Sequence, residues 1–191
     1  MIDSLEDVRI QKTKTKLVLA FSKMIDEMDI DDITVNELCC AAGIRRATFY
    51  KHFTDKLDFF SFLVNRLRDR FDYYILGDAT PRVNVDYFVA YAEKSIDFLS
   101  FYSEKVTKIL SSTMVSTVID LVMTENYRAT RERLIRGQQN GMKLYASAQT
   151  LAAVLTGSLV TAIIAWLKSS NKIPKEQFTE ELASTIRRIL E

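Results

Sequence analysis

The side chains that could do chemistry are few, and they sit close together. The single histidine, His52, lies near the two cysteines, Cys39 and Cys40, which are adjacent. One imidazole and two neighbouring thiols cannot make a usual zinc site, so no metal is expected. The five glycines lie far apart and leave no phosphate-cradling loop. A Ser-His-Asp arrangement would have to run through His52. No catalytic residue and no cofactor is expected, and the chain reads as a non-enzyme. The chemistry available around His52 is that of DNA recognition. Arg45 and Arg46 could bond bidentately to guanine, and Ala47 and Thr48 could set a methyl group against thymine. Tyr50, His52 and Lys56 could reach phosphates. Lys56 falls in the first turn of a helix, whose free N–H groups also favour a phosphate.

The elements that must position these groups occupy residues 33–56, ITVNELCCAAGIRRATFYKHFTDK. Thr34 is a helix N-cap, with Glu37 three residues on as its capping-box partner. Gly43 suits the end of that helix and the tight turn after it. Leu38, Cys39, Ala42, Ile44, Phe49 and Phe53 supply a small core, without which a short recognition helix could not hold its angle in a groove. Arg45, Arg46, Ala47 and Thr48 then stand at the N-terminus of the second helix, the end that usually points at base edges. This is the pattern of a helix-turn-helix. The blander alternatives are a solvated basic face for Arg45 and Arg46, a structural role for His52, and an exposed redox thiol at Cys40. Phe49 and Phe53 are read as core.

The segment from Thr34 to Lys56 resembles the N-terminal signature of TetR/AcrR-type transcriptional regulators. Thr34, Gly43, Thr48, Tyr50, Phe53 and Lys56 fall in matching places. The likeness is strong over about residues 9–60, and the remainder agrees in length, helical character and order of elements. The resemblance implies base-facing roles for Asn36, Arg46, Ala47 and Lys51, beside Arg45. It implies phosphate contacts from Thr48, Tyr50, His52 and Lys56, and Thr34 is placed with them. One departure is Arg45, where the family often has a serine; the lost N-cap costs ~1 kcal/mol.

The expected fold is all-α with about nine helices, near 5–28, 34–42, 45–52, 55–76, 83–101, 103–111, 114–136, 147–169 and 175–190. The expected organisation is a helix-turn-helix DNA-binding domain at 1–54, a connecting helix at 55–76, and an effector-binding and dimerisation domain at 78–191. Gly77-Asp78-Ala79-Thr80-Pro81 breaks the helical pattern between them. Net charge is only +1, so bulk basicity does not argue for nucleic acid. The charge is sorted instead. Residues 9–23 carry Arg9, Lys12, Lys14, Lys16 and Lys23 with no acid, and residues 26–37 carry six acids with no base. The cysteine pair excludes a disulfide framework, and residues 1–9 do not resemble a signal peptide. A reducing cytoplasm is the expected location.

Residues 144–167 carry no charge and are long enough to span a bilayer, so a membrane-anchored helical protein is one alternative. Within this stretch Leu151, Leu155, Leu159, Ile163 and Leu167 form one row. Ala153, Gly157, Thr161 and Ala165 form a second, where small residues would let another helix approach. A helix apolar on both sides is buried on both sides, which favours a homodimer over a membrane span. By the resemblance, the last two helices make the dimer interface, drawing also on the stripe Phe178, Leu182 and Ile186 of the final helix. A dimer would set two recognition helices one DNA turn apart on a pseudo-palindromic duplex. The middle helices are rich in large apolar residues, read either as plain core or as a small-molecule effector pocket. Phe88, Tyr91, Phe98, Tyr102, Met123 and Tyr127 are its candidates, and Glu93, Asp97 or Arg128 could orient a ligand. The function the resemblance implies is a dimeric repressor released from its operator by an effector. The other form is a regulator, repressor or activator, whose rear domain binds a protein partner.

Overall fold

A computed structural model describes residues 2–76 and 82–191. Among the described residues there are nine α-helices and no strand: α1 (Ile2–Glu27), α2 (Val35–Ala42), α3 (Arg46–Tyr50), α4 (Lys56–Leu76), α5 (Val85–Phe101), α6 (Ser103–Ser111), α7 (Val115–Gln139), α8 (Ala148–Lys168) and α9 (Lys175–Leu190). The expected break at 77–81 lies outside the described residues. Helix α7 continues past its expected end at 136 and closes at Gly141, whose φ of 92° is left-handed.

The chain divides into two compact units. The first is Met1–Arg66 with Lys108–Val118, and the second is Leu67–Thr107 with Ile119–Glu191. This differs from the expected division, because residues 108–118 join the N-terminal unit. Ile109 and Met114 pack against its core. Consequently α4, α6 and α7 each begin in one unit and end in the other.

The first unit is built on Leu17, Phe21, Met24 and Ile25 of α1, spaced to share one helical face. They meet Leu38 and Cys39 of α2, Phe49 of α3, and Phe59, Phe60 and Leu63 of α4, all buried. Phe49 and Phe59 are fully buried, and each such ring contributes roughly 1.5–3 kcal/mol by leaving water. The second unit gathers Tyr87, Phe88 and Ala92 of α5, Leu134 of α7, Leu151 and Leu155 of α8, and Ile186 and Leu190 of α9.

Helix α9 corrects part of the expected dimer interface. Phe178, Leu182 and Ile186 are buried inside this chain, where α9 packs against α5 and α8. Phe178 stacks on Trp166 with ring centroids 5.0 Å apart. One apolar stripe can cover one surface, and here it covers the subunit's own core. The outward side of α9 carries Glu176, Gln177, Glu180, Glu181, Ser184, Thr185, Arg187 and Arg188, all exposed.

Candidate nucleic-acid interface

Local rules build the helix-turn-helix. Thr34 is the extended N-cap of α2, and the capping box is complete. The Glu37 N–H donates to Thr34 Oγ1 at 3.2 Å, and the Thr34 N–H donates to Glu37 Oε2 at 2.9 Å. The Thr34 hydroxyl also donates to Glu37 Oε2, at 2.7 Å. These bonds hold the Glu37 carboxyl below its usual range. Gly43 closes α2 at φ 62°, the left-handed region that favours glycine. Its N–H donates to the Cys40 carbonyl at 3.1 Å, and the Ile44 N–H to the Cys39 carbonyl at 3.0 Å.

Helix α3 shows two faces. Phe49 is fully buried, and Phe53 just beyond the helix is 4% exposed, so both are core as the sequence implied. Their rings lie 5.3 Å apart, and both meet Phe59 of α4. Opposite, Arg45, Arg46, Ala47, Tyr50 and Lys51 are exposed, and Thr48 and His52 are half-buried. Arg45 occupies the N-cap position without a capping side-chain bond, as expected from the missing serine. Arg46 and Tyr50, one turn apart, act as a pair. Arg46 Nη2 donates to Tyr50 Oη at 3.2 Å, and the guanidinium lies 5.4 Å from the ring centroid. That bond holds the Arg46 pKa above its usual value. No acid occurs between Glu37 and Asp55, so the surface around α3 is cationic. On α2, Asn36 is exposed one turn from Cys40. The other cysteine, Cys39, is buried, and burial pushes its thiol pKa up.

Lys56 departs from expectation. Its ammonium is half-buried and donates to the carbonyls of Ile30, at 2.9 Å, and Asp31, at 3.5 Å. Burial lowers its pKa, and the charges of Asp31, Asp32 and Glu37 offset only part of that shift. The side chain thus fastens the α1–α2 loop to α4 and is not presented to a phosphate. The Thr34 hydroxyl is likewise already engaged, by Glu37.

The second unit places the expected effector residues unevenly. Phe88 is buried, Tyr91, Phe98, Met123 and Tyr127 are half-buried, and Tyr102 is exposed. Phe71 of α4, which was not foreseen, joins Tyr91 and Phe98 at 5.2 and 5.4 Å between centroids, and Phe98 meets Tyr102 at 4.8 Å. A second unforeseen residue is Arg133 of α7, only 4% exposed, with its guanidinium 4.4 Å from the Tyr91 ring centroid. The sequence holds one faint signal for it: it lies one turn before Gly137, which is also buried. Of the charged candidates, Arg128 is paired with Glu125 at 2.9 Å and Asp97 with Lys175 at 2.8 Å; Glu93 is exposed.

Helix α8 separates its two rows. Leu151, Leu155, Ile163 and Leu167 are buried, while Ala153, Val154, Thr161 and Ala165 are exposed and Gly157 is half-buried. A Cβ added at Gly157 would meet no atom within 4 Å. Among the described residues, α8 is the one unbroken helix long and apolar enough to cross a membrane, and about a third of it is buried in this chain.

No family model matches the chain. In sequence, 57 residues are 35% identical to the HTH-type transcriptional repressor BepR of Brucella suis biovar 1; the match covers 30% of this chain and 27% of that repressor. In structure, the chain is similar to a TetR transcriptional regulator from Streptococcus agalactiae (TM-score 0.62, 20% identity, 96% of this chain and 98% of the other). It is similar to the fatty acid degradation regulator FadR of Bacillus halodurans (0.64, 18%, 90% and 96%). It also resembles the dihydroxyacetone kinase operon activator DhaS (0.64, 14%, 93% and 96%). Nine helices in this order, a capped helix-turn-helix near the N-terminus and these neighbours together give the chain the fold of the TetR-family transcriptional regulators.

Proposed function

We propose that the chain is a dimeric, sequence-specific DNA-binding transcriptional regulator, not an enzyme, acting in the cytoplasm. The observation that carries this is the division of α3: Phe49 fully buried as an anchor, and Arg45, Arg46, Ala47, Tyr50 and Lys51 exposed on one cationic surface. Such a surface, held at a fixed angle by an aromatic core, suits insertion into a major groove. Arg45, Arg46, Ala47 and Lys51 face bases, with Asn36 of α2 beside them. Thr48, Tyr50 and His52 contact phosphates, and Thr34 does so only by releasing part of its bond to Glu37. Near Lys56, a phosphate would meet the backbone at the start of α4 and not the ammonium.

The uncharged outer row of α8 is the dimer surface, with Ala153, Gly157, Thr161 and Ala165 at its centre. Two copies joined there would present two α3 helices to a pseudo-palindromic site about 34–36 Å between half-site centres. The second unit takes a small-molecule effector near Tyr91, Phe98 and Tyr102, and the effector releases the protein from its operator as a repressor. The sequence likeness to a named repressor supports that sign.

Selection of bound sequences from random duplex DNA tests the reading. An enriched two-fold-symmetric site is expected, and Arg46→Ala should relax its sequence preference by about 1–3 kcal/mol at one position per half-site. Absence of enrichment at low and moderate salt would overturn it. Gly157→Leu tests the interface. Open space around Gly157 lets the variant fold, so sedimentation should show a folded monomer; a persisting dimer would move the interface elsewhere. Because the same row would insert in a bilayer, a detergent-free dimer of the native chain also disposes of membrane anchoring.

A further inference from the structure

We propose that Tyr50 is a positioning residue for base readout: its ring and hydroxyl hold the Arg46 guanidinium in the pose that reads a guanine, so that one phosphate contact and one base contact are coupled. The inference rests on the proposed DNA-binding function and concerns what sets its sequence preference.

The basis is a run of contacts from the core of the first unit to an exposed cation. Phe49 is fully buried, and its ring meets that of Tyr50 edge-on, with centroids 5.4 Å apart. The core therefore locates the Tyr50 ring, although the residue itself is 45% exposed. One turn earlier, the Arg46 guanidinium lies 5.4 Å from the Tyr50 ring centroid, and its Nη2 donates to the Tyr50 hydroxyl at 3.2 Å. A ring contact and a hydrogen bond thus constrain the guanidinium from two sides. Arg45 is exposed beside it and makes no side-chain capping bond. Of two neighbouring arginines, one is tied to the core through a tyrosine, and among the described residues no bond of that kind holds the other.

The bond leaves the recognition chemistry intact. A guanidinium carries five N–H donors, and Tyr50 engages one, so a pair on the two Nη atoms still serves guanine O6 and N7. A phenol that accepts a hydrogen bond can also donate one, which leaves the Tyr50 proton for a phosphate oxygen. Phosphate, Tyr50, Arg46 and guanine then stand in one file, and hydrogen bonds in such a file polarise one another. Holding a long side chain before the encounter also removes part of its ordering cost, roughly twofold to tenfold in affinity. A loose arginine facing the wrong base can turn to a phosphate instead. A held one cannot, so the gain is kept for guanine.

The selected duplex and its single-base variants test this with the full chain. Arg46→Ala and Arg45→Ala first identify the position each arginine reads, by the preference each variant loses. Tyr50→Phe keeps the ring against Phe49 and removes only an exposed hydroxyl, so the variant folds. It should weaken binding to every duplex through the lost phosphate contact. It should also lower the guanine preference about threefold to tenfold at the Arg46 position alone. Tyr50→Leu, which lacks the ring, should lower it further, and the preference at the Arg45 position should stay as in the native chain. In an Arg46→Ala background, Tyr50→Phe should weaken all duplexes equally. If Tyr50→Phe of the otherwise native chain weakens all duplexes equally and leaves the preference profile unchanged, the proposal is overturned and Tyr50 is a phosphate contact only. Equal mobility of the Arg45 and Arg46 Nε–H groups, by NMR relaxation of the free native chain, overturns it as well. A native chain that enriches no symmetric site overturns the functional reading, and the relaxation measurement still decides whether Tyr50 holds Arg46.

Discussion

In the first unit Phe21, Phe49, Phe53, Phe59 and Phe60 are all exposed by 8% or less, and they meet one another largely edge-on. In the second unit Phe71, Tyr87 and Phe88 are buried too, exposed by 7–9%, but the aromatic row continues outward through half-buried Tyr91 and Phe98 to Tyr102, 39% exposed, and Phe101, 81% exposed. The two sets are similar in composition and differ in closure. Rings packed on all sides fix the angle of α3, which a base-reading helix requires. Rings packed on one side keep apolar area that a ligand or a rearrangement can still cover, at a smaller cost to move.

The largest effect should come from breaking the closed set. Phe49→Ala should destabilise the chain by about 3–5 kcal/mol, the range for emptying a packed aromatic site, measured by urea unfolding. A loss as small as that of a surface change would show that the first unit is not the rigid mount described. Phe98→Ala should cost about 1–2 kcal/mol, since the ring is half-buried and its neighbours can close in. If the two variants lose equal stability, the contrast between the units fails. Thr34→Ala, which removes the N-cap of α2, should cost about 1 kcal/mol and raise exchange in α2 before α3.

A pH titration should give a small effect confined to the acid side. Thr113 holds the Asp31 carboxyl below 3.8, and Thr34 holds that of Glu37 below 4.5, through backbone and side-chain hydrogen bonds. Their folded pKa values are depressed, so the stability they contribute is fully present above those ordinary values. It is lost as pH falls through the folded ones. Melting temperature should thus begin to fall below about pH 4.5, and less steeply in Asp31→Ala; equal slopes would remove Asp31 from the balance. Smallest of all, Phe101→Ser should change stability by under about 0.5 kcal/mol, and a larger loss would mean that a partner or second copy covers the ring in solution.

Much of this molecule was legible along the chain. The Thr34–Glu37 box and the left-handed Gly43 depend on neighbours within a few residues, and so does the burial of Phe49 and Phe53 against the exposure of Arg46 and Lys51. Local spacing is enough to specify each of them. The two rows of α8 were legible for the same reason, since period alone separates Leu155 from Gly157.

Tertiary structure decided what depends on a distant partner. Periodicity marks the stripe of Phe178, Leu182 and Ile186 as buried but does not say whether this chain or another buries it; packing of α9 on α5 and α8 settled that. Lys56 is a cation at a helix start, and only the carbonyls of a loop 25 or more residues away turn its ammonium inward. Arg133 is an ordinary polar position on α7 until Tyr91 closes over it. The return of residues 108–118 to the N-terminal unit has no local mark at all. Lys108 on α6 and Asp31 in the loop after α1 are unremarkable singly, and only folding sets the first on the last carbonyls of α1 and the second on Thr113.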